Sequence, residues 1–154
     1  MWEKDMKINE VREIRTRTSV YCGVGAIEKI NDIAKVLKEE KGINKVIVMS
    51  GRNAYKATGA WDYVEKALKD NGIGYINYDQ VTPNPTTHHV NDAVKMAKDF
   101  GAQAVIAIGG GSPTDAGKAT AILMEYPDKS ANDLMEFKFA TVKAAQIVSI
   151  NLTN

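Results

Sequence analysis

The sequence has 154 residues, of which 44% are apolar and 25% charged, so we expect one globular domain that buries roughly 70% of its unfolded surface. A net charge of +1 gives no electrostatic reason to expect nucleic acid or a membrane surface as a partner, and no apolar run approaches the roughly 18 residues of a membrane span. The single cysteine, Cys22, excludes an intramolecular disulfide, and the charged N-terminus lacks the apolar core of a signal peptide, which together predict a cytoplasmic protein.

Two patterns alternate along the chain after an N-terminal segment, residues 8–21, whose imperfect alternation predicts an additional strand or hairpin. Short β-branched runs predict strands, and stretches with apolar residues three and four apart predict helices. The predicted strands are residues 45–50, 74–81, 104–109 and 146–151. The helical stretches contain Ile27 and Leu37, Trp61 and Leu68, Val90 and Ala97, and Ala116 and Leu123.

The first three of these strands recur at the interval of about 30 residues that is typical of a strand-helix-strand unit. Gly42, Gly72 and Gly101 stand where the helices should end. The pattern therefore predicts an α/β fold, a Rossmann-like and mostly parallel sheet with helices on both faces. Ligands of such sheets bind outside the carboxyl ends of the strands, so the loops at those ends are the candidate sites.

The loop after the predicted strand of residues 45–50 carries a cation at a place where many NAD-binding folds carry an acid. Gly51, Arg52 and Asn53 follow residues 45–50, and no carboxylate is present there to bind the ribose hydroxyls. A small residue followed by arginine would admit and bind a 2′-phosphate, which favours NADP over NAD. The alternative interpretation is an ordinary solvated arginine.

Two other loops carry weaker signals. Gly23 and Gly25 form a G-x-G, but Glu28 occupies the position of the third glycine in the dinucleotide fingerprint, so a tight turn into a helix is the preferred interpretation. Residues 82–87 contain two prolines and predict an extended loop before a helix that begins at Thr86 or Thr87.

Residues 108–120, IGGGSPTDAGKAT, predict an anion-binding turn at the start of a helix. We expect Ser112 to cap this helix, with Pro113 at its first position and Asp115 completing a capping box. The three glycines need another explanation, and close approach of backbone N–H groups to a pyrophosphate provides one. Lys118 can neutralise Asp115 three residues away. The spacing does not fit an ATP-binding P-loop, because Ser112 stands where that motif requires glycine.

Metal binding finds little support in the sequence. His88 and His89 are the two histidines, and neighbouring side chains on a helix point about 100° apart, so they do not easily share one metal ion. We expect both to be exposed to solvent.

Residues 109–118, GGGSPTDAGK, resemble the GGGS-x-x-D-x-A-K signature of the iron-containing (group III) alcohol dehydrogenases, a family related in fold to glycerol dehydrogenase and dehydroquinate synthase. The resemblance extends over nearly the whole chain, through the G-x-G turn, the Asn84-Pro85-Thr86 loop and Gly101. It implies that residues 109–112 bind the pyrophosphate of NADP or NAD. It also implies that Asp115 and Lys118 lie toward the nicotinamide.

The reasoning from the residues and the resemblance together predict one cofactor site and no catalytic residue in this chain. Its predicted members are Gly51, Arg52, Asn53, Asn84, Pro85, Gly109, Gly110, Gly111, Ser112, Asp115, Lys118 and Thr153. The resemblance further suggests a homodimer formed through the N-terminal strands.

The sequence departs from the family pattern at two places. Gly117 stands where the family has alanine, which we expect to weaken the helix slightly. Residues 151–154, NLTN, retain only Thr153 of a Thr-Thr-x-Gly-Thr turn, after which family members continue into a helical domain whose aspartate and three histidines bind iron or zinc.

We therefore expect residues 1–154 to form an NAD(P)-binding domain without that metal-binding domain, inactive or nearly so when alone, because hydride transfer would lack its Lewis acid. The alternative is a stand-alone nucleotide-binding or regulatory module, a pseudoenzyme that has kept its glycine loop.

Overall fold

The computed structural model describes residues 11–15 and 18–152. The predicted N-terminal hairpin is present: β1 (Arg12–Arg15) pairs antiparallel with β2 (Ser19–Cys22). Residues 8–10, 16 and 17, which the prediction also covered, lie outside the described part of the chain.

A 3-10 turn (Ala26–Lys29) follows the hairpin and leads into the alternating helices and strands. The further elements are α1 (Ile30–Glu39), β3 (Lys45–Ser50), α2 (Ala54–Ala57), α3 (Ala60–Asp70), β4 (Gly74–Tyr78), α4 (Thr87–Phe100), β5 (Ala104–Gly109), α5 (Gly111–Met124), α6 (Ala131–Met135) and β6 (Gln146–Asn151). None of the helices in the described ranges is both long and apolar enough to cross a membrane.

The four later strands form a parallel sheet in the order β4-β3-β5-β6. The predicted bounds of β3, β5 and β6 agree with the structure, whereas β4 ends at Tyr78 and not at residue 81. Beyond Tyr78 the chain carries polar residues and leaves the ladder, although Val81 still donates its N–H to the Ser50 carbonyl at 3.2 Å.

Helices cover both faces of this sheet, as predicted. One face of β3 and β5 packs through Val46, Val48 and Ile106 against the apolar sides of α1 and α3. The other face packs through Ile47 and Val105 against α4, α5 and α6. The chain runs from β3 through α3 to β4 in one direction across the sheet, and from β4 through α4 to β5 and through α5 to β6 in the opposite direction. Because parallel connections are right-handed, α3 lies on one face of the sheet, and α4 and α5 lie on the other.

Strand β2 belongs to the separate hairpin sheet and lies across a groove from β6, the edge strand of the parallel sheet. A groove of about 1250 Å³ runs between the two strands and is lined by every residue of both. In the described part of the chain, β6 is therefore paired only with β5.

Helix α5 lies unusually close to the sheet because of Gly117. A Cβ at this position would lie 2.9 Å from the Cβ of Ala107 on β5 and 3.5 Å from the Cδ1 of Ile147 on β6. The expected small cost of Gly117 to the helix is thus accompanied by a use that the sequence did not show, because the glycine lets the helix approach its two strands. Close helix-to-strand packing is one role of glycine in dinucleotide-binding folds.

We predict that Gly117→Ala destabilises the protein by about 1 kcal/mol. Overpacking costs about 1 to 3 kcal/mol, whereas the better helix propensity of alanine returns about 1 kcal/mol. Urea unfolding measures the change. Gly111→Ala in the same helix is the control, because a Cβ there has no neighbour within 4 Å. A Gly117→Ala protein as stable as Gly111→Ala would contradict the close-packing explanation.

Candidate functional site

The carboxyl ends of β3 and β5 lie side by side at the centre of the sheet, where Ser50 is the register partner of Ile108. The chain leaves β3 toward one edge of the sheet and leaves β5 toward the other, so a crevice opens between the two loops. Such a switch in strand order is where open α/β sheets bind their ligands. The predicted loops after β3 and β5 therefore meet at one place.

The glycine loop joins β5 to α5 in a conformation that requires glycine at its first position. Gly109 has φ of +148°, and a Cβ there would lie 2.7 Å from the Cγ of Pro113. Gly110 is the extended residue before the helix, and Gly111 is its first residue. A Cβ on Gly111 would meet nothing within 4 Å, so the space in front of this helix is open.

The prediction that Ser112 caps α5 is wrong. The helix begins at Gly111, two residues before the predicted start at Pro113, and no side chain bonds to its cap, Gly110. Pro113 is thus the third helical residue. The backbone N–H at that position has no partner within a helix, so a proline, which lacks this group, costs nothing there. The helix can start early because Gly109 has no side chain, which lets the ring of Pro113 pack directly against the end of β5. The N–H groups of Gly111 and Ser112 consequently face the open space without a competing hydroxyl acceptor.

The N-terminus of α5 is therefore suited to an anion. Among the described residues no group accepts the N–H of Gly111 or Ser112, and the positive end of this 14-residue helix lies at the same open place. Leu152 closes its other side, where its N–H donates to the carbonyl of Gly109 at 2.9 Å. The predicted contact Thr153 follows directly but lies outside the described residues.

Asp115 and Lys118 form the expected pair on α5. Their carboxylate and ammonium are 3.5 Å apart, and both side chains are mostly exposed. Lys118 also lines the groove beside β6. Asp115 thus bonds to a neighbour on its own helix and not to the helix cap, which leaves the N-terminus of α5 without a capping carboxylate.

The loop after β3 presents exposed polar side chains to the crevice. Gly51 lies close to the loop after β4, since a Cβ there would be 3.3 Å from the carbonyl oxygen of Val81. Arg52 and Asn53 are exposed. Within the described ranges Arg52 has no ion-pair or hydrogen-bond partner, and the Asn53 side chain does not bond to the helix it precedes.

The loop after β4 ends where Thr86 caps α4, which resolves the choice between Thr86 and Thr87. Asn84 adopts a left-handed φ of +57° next to Pro85, a conformation that asparagine tolerates better than most residues. The Nδ1 of His89 accepts the Thr86 N–H at 3.1 Å. His89 is therefore a partly buried capping residue, not the exposed side chain expected from the sequence.

Two residues near the crevice were missed by the sequence reasoning. Ser50 is 1% exposed at the end of β3, and its Oγ has no hydrogen-bond partner among the described residues. Tyr78 ends β4, where burial and then the nearby Asp92 carboxylate raise the pKa of its phenol. A polar residue at the end of a buried run was the only available signal for Ser50.

The histidines do not form a metal site. His88 is 80% exposed, and its Nδ1 lies 3.4 Å from the carboxylate of Asp92. Over residues 11–15 and 18–152, no three histidine, cysteine, aspartate or glutamate side chains are close enough to hold a metal ion.

The sequence and fold were compared with known proteins. Residues 17–154 match the family model "Iron-containing alcohol dehydrogenase". The chain is 51% identical over 154 residues to the long-chain primary alcohol dehydrogenase AdhA of Thermoanaerobacter ethanolicus. It is 33% identical over 117 residues, 76% of its length, to the NADPH-dependent butanol dehydrogenase of Clostridium saccharobutylicum, of which it covers 28%.

Among solved structures, the fold is similar to that of NADH-dependent butanol dehydrogenase A from Thermotoga maritima, with a TM-score of 0.73 and 34% identity over 81% of this chain and 30% of that chain. The match to AdhA covers all of this chain but 38% of the relative. The chain therefore spans well under half the length of the relatives it matches.

Proposed function

Because the chain belongs to the iron-containing alcohol dehydrogenase family, we propose that it is the domain that binds the nicotinamide dinucleotide of an alcohol dehydrogenase. The observation that carries this proposal is the open N-terminus of α5, where Gly111 and Ser112 offer N–H groups and Gly109 permits the close approach of the helix. A pyrophosphate needs such a site, because it is an anion that accepts several hydrogen bonds at once.

The bound dinucleotide would supply hydride acceptance from an alcohol at its nicotinamide ring. The residues of this chain bind and orient it. The N-terminus of α5 holds the pyrophosphate, the loop of Gly51, Arg52 and Asn53 lies on the β3 side of it, and Asp115 with Lys118 on the β6 side. Asn84 and Pro85 border the crevice at the end of β4.

We further propose that residues 1–154 bind the dinucleotide without turning over an alcohol, since the resemblance assigns the iron or zinc ligands to a helical domain outside them. An assay of this chain with a primary alcohol, NADP and added Fe²⁺ tests that directly, and turnover would contradict it. No observation favours the alternative of a stand-alone regulatory module.

A preference for NADP over NAD is the second part of the proposal. Arg52 lies at the end of β3 without a carboxylate partner in the described chain, and no acid occupies this loop to bind the ribose hydroxyls. A guanidinium forms charge-assisted forks with phosphate oxygens. The relatives do not decide the matter, because their names include both NADPH-dependent and NADH-dependent enzymes.

We predict that Gly111→Asp abolishes dinucleotide binding while leaving the fold intact. An acid at the first position of a helix stabilises it by about 0.3 to 1 kcal/mol, and the site has room for the side chain. Its charge, however, repels the pyrophosphate, and its side chain displaces the two charge-assisted hydrogen bonds from the helix N–H groups, each of which contributes about 1.5 to 3 kcal/mol. Calorimetric titration with NADPH should show a loss of affinity of at least about 100-fold.

The control for this variant is Gly111→Asn, which adds nearly the same bulk without the charge and should lose less affinity. Urea unfolding of both variants checks that they fold. A folded Gly111→Asp protein with unchanged affinity would refute the assignment of the pyrophosphate to α5.

We predict that Arg52→Ala weakens binding of NADPH by about 10-fold or more and leaves binding of NADH unchanged. Loss of hydrogen bonds from a guanidinium to a phosphate costs about 1.5 to 3 kcal/mol, and NADH has no 2′-phosphate to lose them. Asn53→Ala is the neighbouring control for a change in the loop itself. Equal losses for the two dinucleotides would remove the basis for an NADP preference.

A further inference from the structure

The segment between α5 and β6 displays three large apolar side chains to solvent. Met135 is 70% exposed, Phe137 is 91% exposed and Val142 is 81% exposed. We call these three residues, which lie within a stretch of eight, the 135–142 patch. Single exposed apolar residues are normal on a protein surface, whereas a group of them marks a place where another molecule binds.

Phe137 is held in a backbone conformation that favours glycine. It follows the end of α6 with φ of +52°. The N–H of Lys138 donates to the carbonyl of Asp133 at 3.0 Å, and the N–H of Phe137 donates to the carbonyl of Leu134 at 3.2 Å. These are the two bonds of a Schellman motif, in which glycine is the common residue at the position of Phe137, because a Cβ is strained there. Burial does not offset this strain, since the ring lies in solvent.

The loop that carries the patch is tied to the end of α5 by one phenol. The hydroxyl of Tyr126 donates to the carbonyl of Ala140 at 3.1 Å. The same oxygen accepts the N–H groups of Val142 at 2.9 Å and of Lys143 at 3.2 Å. The ring of Tyr126 packs on Phe139 with 4.8 Å between the ring centres. Because the loop is already ordered, a partner binds it without the entropy cost of immobilising it.

The 135–142 patch lies at the end of the sheet away from the crevice. Helix α5 runs back from the carboxyl end of β5, so Tyr126, two residues beyond this helix, lies near the amino ends of the strands. The end of α4 lies there too, because the Nζ of Lys98 donates to the carbonyl of Pro127 at 2.9 Å. A molecule bound to the patch therefore leaves the proposed dinucleotide site open.

The charges around the patch are of both signs. Residues 125–143 carry four acids and three lysines, so they do not attract a partner of one strong charge, such as a nucleic acid or an anionic membrane. Glu125 and Lys143 are exposed, and neither has an ion-pair partner among the described residues. Both lie beside Tyr126, since Glu125 precedes it in the chain and the N–H of Lys143 bonds to its hydroxyl.

A second copy of the chain offers the charges that these two side chains lack. In a contact with two-fold symmetry the same surface faces itself, so every pair across it forms twice. Lys143 of one copy then pairs with the partner's Glu125, and the reverse pair forms by symmetry. The apolar side chains of the two patches meet between these ion pairs.

We propose that the 135–142 patch is a contact surface for a second copy of this chain, arranged about a two-fold axis with Phe137 near its centre. Aromatic side chains supply a large part of the binding energy of interfaces, and charges at the rim fix the orientation. Three apolar side chains per copy form a contact below the roughly 1,200 to 2,000 Å² of a stable interface, so the association is weak. It is separate from the N-terminal strands, through which the resemblance suggests a homodimer.

The experiment is sedimentation equilibrium of the intact chain from micromolar to millimolar concentration. We expect the average mass of the wild type to rise with concentration, and Phe137→Gly to raise the dissociation constant by about 10-fold or more. The same variant should raise the Tm by about 2 to 4 °C, because glycine relieves the backbone strain. Tyr63→Ala removes an exposed aromatic side chain from α3 and should leave the association unchanged.

A charge exchange tests the two-fold arrangement. Lys143→Glu and Glu125→Lys should each weaken the association by about 5-fold, as for an exposed ion pair, and the double variant should restore it. A wild-type mass that does not rise with concentration would overturn the proposal. So would an association that Phe137→Gly leaves unchanged, as one through the N-terminal strands would be, or a double variant as weak as the single ones. None of these outcomes depends on whether the chain binds a dinucleotide.

Discussion

The close contact of α5 with β5 and β6 is the constraint on which the candidate site depends. Gly117 brings the helix within van der Waals distance of Ala107, and Gly109 lets the ring of Pro113 pack against the end of β5. Together these two glycines set the distance and the direction of the helix axis. A Cβ at Gly109 would lie 2.7 Å from the Cγ of Pro113 and one at Gly117 would lie 2.9 Å from the Cβ of Ala107, so either would require the helix or its neighbour to shift.

The chemistry of the site follows from that placement. Helix α5 presents backbone donors where the strand order of the sheet switches, and its nearest carboxylate, Asp115, is bonded to Lys118 one turn farther on. The loop after β3 adds a positive side chain and no acid. One side of the crevice therefore offers backbone donors to an anion, and the other offers a cationic side chain, as the proposed binding of NADP requires.

Sequence reasoning predicted the centre of the sheet well because its two central strands, β3 and β5, are buried on both faces. The runs of β3 and β5 are continuous and apolar, so their bounds agree with the structure, and β6 was recognised in the same way. The end of β4 was placed too late, because the prediction ran on to Val81 although the polar Asp79 and Gln80 have already left the ladder. The periodicity identified the helices, but α2 has too few residues to show a period.

The sequence identified the glycines, Arg52 and the Asp115–Lys118 pair as candidate residues, and the ion pair is present. The cap of α5 was placed at Ser112, because local capping preference favours a hydroxyl there and contacts across the fold are invisible in a sequence. The close approach at Gly117 and the cap made by His89 depend in the same way on neighbours in space. That the described residues offer Arg52 no carboxylate could be known only from the structure.

The most direct measurement is the change in backbone amide chemical shifts when NADPH is added to the ¹⁵N-labelled chain. Binding at the N-terminus of α5 predicts that the largest changes occur at Gly110, Gly111 and Ser112, with smaller ones at Arg52. Changes confined to the start of α4, at Thr87 and His88, with those three amides unaffected, would contradict it.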